Sequence, residues 1–139
     1  MASSDGTDTV AITTVDQIVS DFRVKEIDIL SIDTEGNDVR VILGAHHSLP
    51  LVRYLEFEYH SVAHWAQSDL QDTVDLLDQY EFDCYWQGNK GQLWRLTGCW
   101  HDSYYHKRSW SNIACIKRGE TIVHALMETI AQTHSRHVI

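Results

Sequence analysis

The segment that most constrains this chain is Ile27-Asp28-Ile29-Leu30-Ser31-Ile32, followed at once by Asp33-Thr34-Glu35-Gly36-Asn37-Asp38. A short, β-branched apolar run bounded by turn residues reads as a buried strand. Val39, Ile42 and Leu43 then recur at helical spacing, so the order is strand, tight turn, helix. In open α/β sheets, ligands sit beyond the carboxyl ends of the strands. Asp33 and Glu35 are thereby placed at a mouth. A carboxylate at the end of an apolar strand is costly to bury unless it is paired or used. The plainer reading of such a turn is a helix-capping Asp33 and a solvated Glu35.

A second strand is expected at Val52–Tyr59, where the pattern alternates. Tyr54, Glu56, Glu58 and His60 fall on one face, and Leu55, Phe57 and Tyr59 on the other. The segment between the two strands contains a helix and ends at the sole proline, Pro50. Crossovers of that kind join parallel strands. Glu58 and His60 are consequently expected at the same edge as Asp33 and Glu35. Glu56 reads as a polar residue on the solvent side.

Around this unit the chain is punctuated clearly. Residues 1–8 are small and polar and are expected to fray, and Val10-Ala11-Ile12 has the character of a short extended piece. Thr14 and Gln17 fit a capping box, after which Val15, Ile18, Val19 and Phe22 form one apolar stripe, a scaffold helix for the sheet. Ser68-Asp69-Leu70-Gln71 opens a further helix, with Val74 and Leu77 on its apolar side. Residues 82–86 read as a strand, 88–91 as a turn, 92–96 as a second extended piece and 112–116 as the last strand. Residues 100–110 form a polar, aromatic loop suited to a substrate lid or a partner surface. Ile122, Val123, Leu126, Met127 and Ile130 give an amphipathic carboxyl-terminal helix expected to pack on the core. The division is an amino terminus at 1–8, one domain over 9–118 and a helix within 119–139.

Charge and cysteine usage narrow the function. A net charge of −9 leaves no basic stripe for nucleic acid. No apolar run reaches membrane-spanning length, and the first residues lack a basic, apolar leader, so a cytoplasmic chain is expected. Cys84, Cys99 and Cys115 form no Cys-x-x-Cys pair, so a zinc knuckle is not expected and buried reduced thiols are. His46 and His47 would point about 100° apart on a helix, which suits solvated helix-end residues better than one shared ion.

Ile29 to Gly36, followed by Val41-Ile42-Leu43-Gly44-Ala45, resembles the signature of the FkbM-type S-adenosylmethionine-dependent methyltransferases. That signature is an apolar strand, Lys-Ile-Asp-x-Glu-Gly, and a helix ending near Leu-x-Gly-Ala. Ser31 stands where lysine is usual. Residues 52–60 are similar to the family's next strand, with Glu58 at its usual glutamate, and 111–116 to its last, which often opens with asparagine. The resemblance runs from Thr9 to Lys117.

The resemblance implies an α/β fold: the carboxyl-terminal half of a Rossmann-like methyltransferase domain. Its strands would be four to seven, a mixed sheet with a terminal antiparallel pair. The glycine-rich turn and ribose-holding acid that such domains place on earlier strands have no counterpart in these residues. The site for S-adenosyl-L-methionine would then be incomplete. The implied activity is methyl transfer to a small-molecule or sugar hydroxyl, by a partial domain inactive alone. A non-catalytic interaction module derived from such a half-domain is the alternative, and enzyme status stays open. Asp33 would lie nearest the methyl donor, orienting acceptor or cofactor through its carboxylate, and is the residue assigned to cofactor binding. Glu35 and Glu58 would bind or deprotonate the acceptor hydroxyl, with His60 a further candidate base. A cation between Asp33 and Glu58 would suit some relatives of this fold, but two carboxylates are fewer than hard oxygen sites take, and no metal is assigned. The strand at 27–32, lacking one neighbour, is expected to pair with a second copy.

Overall fold

A computed structural model describes residues 10–101, 103–104, 107 and 109–135. Its elements are α1 (Val15–Asp21), β1 (Ile27–Ile32), α2 (Asp38–Leu43), β2 (Val52–Tyr59), α3 (Leu70–Gln79), β3 (Phe82–Gln87), β4 (Leu93–Arg95), β5 (Ser111–Lys117) and α4 (Thr121–Ser135). The strands form one mixed α/β sheet in the order β1-β2-β5-β3-β4. β1 and β2 are parallel, joined through α2, with Ile27 opposite Val52 and Ile32 opposite Phe57. β5 enters between β2 and β3 and runs antiparallel to both. β3 and β4 make a hairpin.

The alternation along the strands sorts the core onto two faces. Ile32, Leu55, Phe57, Tyr59, Phe82 and Ile113 meet Val39 and Ile42 of α2, Leu70, Val74 and Leu77 of α3, and Trp65. Each such side chain contributes about 1.5–3 kcal/mol on burial. The opposite face is covered across β3 and β5, where Tyr85, Ala114 and Ile116 pack on Met127 and Ala131 of α4. Toward β1 that face is open, and Ile29 is 65% exposed.

Two expected packing faces are formed only in part, through Val15 in α1 and Met127 in α4. No residue of α1 is buried, and Phe22 is 78% exposed. Thr14 caps α1 as its sequence predicts, accepting from the Gln17 amide at 3.1 Å. What fixes α1 is Asp16, whose carboxylate accepts from the His47 and Ser48 amides at 3.0 and 2.8 Å and from Ser48 Oγ at 2.6 Å. Burial pushes this carboxyl up, but the Ser48 hydroxyl and the two amides outweigh it and leave the pKa below its ordinary value. In α4, Met127 is buried while Ile122, Val123 and Leu126 face outward. The sheet side of α4 instead presents His124 and Glu128. The reason lies in β3, where buried Asp83 accepts from His124 Nε2 at 2.7 Å and from Arg95 and Arg118 at 3.0 and 3.1 Å. A buried carboxylate without such partners is strongly destabilising, so their placement takes precedence over the apolar stripe.

Smaller differences follow from local chemistry. The cap of α3 is Asp69, which accepts from the Gln71 amide at 3.0 Å, while the Ser68 hydroxyl donates to the His64 carbonyl at 2.9 Å. Residues 10–14 form no strand. The expectation of reduced, buried thiols is corrected: Cys84 and Cys115 are direct partners across β3 and β5 and are joined by a disulfide, and Cys99 is exposed. Residues 1–8 and the end of the 119–139 segment lie outside the described residues. Among those described, no helix is long and apolar enough to cross a membrane.

Candidate functional site

The parallel register sends β1 and β2 out of the sheet at the same end, Asp33 following Ile32 and Glu58 following its partner Phe57. The turn after β1 is left-handed at Glu35 (φ 52°) and Gly36 (φ 93°). A Cβ on Gly36 would lie 2.7 Å from Ala63 Cβ and 2.9 Å from both His60 Cε1 and the Val62 carbonyl oxygen. Only glycine permits that approach together with that φ. The His64 amide donates to the Gly36 carbonyl at 3.1 Å, so the turn after β1 is pressed onto the turn after β2.

Asp38, fully buried in the first turn of α2, completes the join. Its Oδ2 accepts from the Gly36 amide at 3.1 Å and its Oδ1 from the Glu58 amide at 3.4 Å. Its position at a helix start is its only mark in the sequence, and helix starts favour an acid on general grounds.

Glu58 and His60 are brought together. The Glu58 side chain is 19% exposed and that of His60 1%. His60 Nδ1 accepts the Val62 amide proton at 3.2 Å, which assigns the proton of the neutral ring to Nε2. Among the described residues Nε2 is buried with no hydrogen-bond partner, and it stands 3.9 Å from Glu58 Oε2. The imidazole stacks on Trp110, with ring centroids 4.3 Å apart and planes 27° apart. Glu58 also borders a cleft of about 960 Å³.

Asp33 and Glu35 are both exposed. Among the described residues, neither makes a hydrogen bond or ion pair with Glu58 or His60, and neither borders the cleft. Between them the Thr34 hydroxyl is buried without a partner. Glu56 accepts from Ser31 Oγ at 2.9 Å and from the Tyr54 hydroxyl at 3.1 Å, which gives it a structural place on the sheet. Burial, with Glu56 alongside, pushes the Tyr54 phenol up to about 12.

A second cluster has ligand-like spacing. Asp83, His124 and Glu128 hold donor atoms within 4.8 Å of one another. Arg95 bonds both carboxylates and Arg118 bonds Asp83, so two guanidinium groups already supply the positive charge a cation would bring. This cluster reads as a structural network.

The family model for the Methyltransferase FkbM domain matches residues 2–84 of the chain. No curated protein and no solved structure matches it. S-adenosylmethionine, which that family implies, offers ribose hydroxyls, an ammonium group and a sulfonium. The open carboxylate of Asp33 suits a hydroxyl or ammonium donor, and the unpartnered Thr34 hydroxyl lies next to it in the chain. Neither residue lines the cleft beside Glu58 or the smaller pocket between α2 and α3. These residues fit contacts from one side and do not by themselves fit an enclosing site.

Proposed function

Because the chain belongs to the FkbM methyltransferase domain family, we propose that it carries the acceptor side of an S-adenosylmethionine-dependent O-methyltransferase site. The acceptor would be a small-molecule or sugar hydroxyl. The β1-β2-β5-β3 order supports reading these strands as four, five, seven and six of a Rossmann-like methyltransferase sheet. The observation that carries the chemistry is the pairing of Glu58 with a buried His60 beside an open cleft.

When bound, S-adenosylmethionine would supply a methyl group on a sulfonium, and transfer to oxygen is aided by a base that removes the hydroxyl proton. Glu58 is that base. His60 is the weaker choice, because its neutral Nε2 already holds a proton while Nδ1 is occupied by the Val62 amide. Its N–H edge toward Glu58 instead stabilises the carboxylate, and Asp38 fixes the Glu58 backbone. Asp33, at the adjacent strand end, orients the donor. Glu35 binds the acceptor from the neighbouring turn.

The 139 residues by themselves bind the donor too weakly for turnover, since they offer it one side only. A second reading is favoured by one observation, the open apolar surface at Ile29: a non-catalytic module that pairs with another chain. The two are separated by following labelled methyl from S-adenosylmethionine to hydroxylated acceptors. The chain is tested alone and extended through its upstream reading frame. Transfer by the extended chain, reduced about 10²–10⁴-fold by Glu58→Gln, is expected. Transfer untouched by that substitution removes Glu58 as base, and no transfer from either form favours the module.

A further inference from the structure

The cleft beside Glu58 has a lining that points to one class of ligand. Its volume, about 960 Å³, is ample for one or two sugar rings and lies within the ~300–1,000 Å³ range of small-molecule sites. One wall comes from the β3–β4 hairpin and the other from the segment that enters β5. Glu58 and Asn112 are cross-strand partners on β2 and β5, so carboxylate and amide project side by side from one face.

Three indole rings line these walls, those of Trp86, Trp94 and Trp110. Trp94 lies directly on the Gly88 backbone, where an added Cβ would fall 1.9 Å from its Cζ3. Trp110 is 59% exposed, yet one of its faces is held by the stacked His60 ring. An aromatic ring held by stacking, with much of its surface left to solvent, is a ready platform for a ligand face.

The polar complement is amide-rich. Asn89, Gln92 and Asn112 line the cleft, and each amide side chain both donates and accepts hydrogen bonds. Among the described residues, the acidic, lysine and arginine side chains of the lining are Glu58 and Lys107. Among those residues that is one lysine beside one carboxylate, whereas a phosphorylated ligand calls for clustered positive charge and bidentate donors. A planar aromatic ligand without hydroxyl or amine substituents would use the rings and leave the amides unpaired. Vicinal hydroxyls also donate and accept, and a pyranose carries an apolar C–H face edged by such hydroxyls.

We propose that this cleft binds a neutral saccharide, its C–H face on Trp110 and its hydroxyls on Asn112 and Glu58. The inference rests on Glu58 being the acceptor-side base, and it narrows the acceptor class to a sugar hydroxyl.

The test is ligand binding to the 139-residue chain without any methyl donor. The probes are methyl glycosides of neutral hexoses, 6-deoxyhexoses and pentoses, with catechol and inorganic phosphate as competing classes. Tryptophan fluorescence follows saturation, and saturation-transfer NMR maps which ligand protons touch the protein. At least one glycoside is expected to saturate with its ring C–H protons closest to the protein. Trp110→Ala should weaken it about tenfold, the scale of one lost aromatic contact, and Trp110→Phe should retain most of the binding. Asn112→Ala, at an exposed position, gives a second independent loss. Saturation by catechol or phosphate alone, no saturable glycoside, or glycoside binding indifferent to both alanine variants would overturn the proposal. Glycoside binding without methyl transfer in the label assay would count against the methyltransferase reading and leave this one standing. Methyl transfer to a non-sugar hydroxyl, without glycoside binding, would do the reverse.

Discussion

Gly36→Ala is the substitution that most directly probes how the two turns are held together. Two costs act there and can be separated. The first is conformational: an L-residue forced into the left-handed region costs about 1–2 kcal/mol. The second is spatial, because the new methyl would meet Ala63 Cβ at 2.7 Å and the Val62 carbonyl oxygen at 2.9 Å. Backbone cannot swing aside as a flexible side chain would, so overpacking adds about 1–3 kcal/mol. Gly91→Ala supplies the control, since Gly91 also has a positive φ (73°) but nothing lies within 4 Å of its added Cβ. Only the first cost applies to it. Thermal melts by circular dichroism should place Gly36→Ala below Gly91→Ala by roughly 3–12 °C for a domain of this size. Because His60 Cε1 is also 2.9 Å from the added methyl, the Trp110 environment should change as well, visible as a shifted tryptophan emission. Equal melts for the two variants would refute the claim that the turns are in forced contact.

Other perturbations follow from the same structure. Asp83→Asn strips the carboxylate that meets Arg95, Arg118 and His124; a loss of about 3 kcal/mol in urea unfolding is expected, the low end for a broken buried pair because both arginines reach solvent. The folded Tyr54 phenol is raised to about 12, and Tyr85 is raised also, by burial and by Glu128. Above pH ~10 the unfolded chain releases phenolic protons that the folded chain keeps, so stability is full below that pH and falls as pH rises toward ~12. Denaturant midpoints across this range should decline, and less steeply in Tyr54→Phe; a flat profile would contradict the burial of these hydroxyls. Finally, the edge of β1, unpaired among the described residues and with Ile29 65% exposed, should pair with a second copy and raise the light-scattering mass with concentration. Ile29→Lys should abolish this as an edge charge does, and a monomer at high concentration would show that the edge is protected.

What could be read in the sequence was whatever depends on local pattern. The strand–turn–helix at 27–43 is marked by β-branched residues, Gly36 and helical spacing. Thr14 announces its helix by a contact three residues away. The shared edge of Asp33 and Glu58 followed from a crossover too long for a hairpin. Features that depend on which distant strands meet were hidden. Asp83 sits in Phe82-Asp83-Cys84 with no sign that Arg95, Arg118 and His124 converge on it. The outward stripe of α4 was misread for that reason: periodicity marks an apolar face but not the competing need of a buried carboxylate. Cys84 and Cys115 each lay in a recognised strand, and their bond required knowing that β5 lies beside β3. The aromatic character of residues 100–110 is plain in the sequence, while the amides that make the cleft polar come from the β3–β4 turn and from Asn112 on β5. The solitary acid in an otherwise apolar strand at 83 was the one available signal.

The position of β5 also bears on how this sheet is made. β5 is the last strand among the described residues, yet it joins β2 on one side and β3 on the other. Until Lys117 has left the ribosome, the β1–β2 pair and the β3–β4 hairpin share no backbone hydrogen bonds within the sheet. Each half would meanwhile present an open inner edge of the kind that mispairs in nascent chains. Closure also joins residues far apart in sequence, such as Tyr54 with Ile116, and non-local pairing of that kind slows folding. Sheet closure therefore waits on β5, and a chain stalled before residue 111 would be a substrate for chaperones before it is a domain.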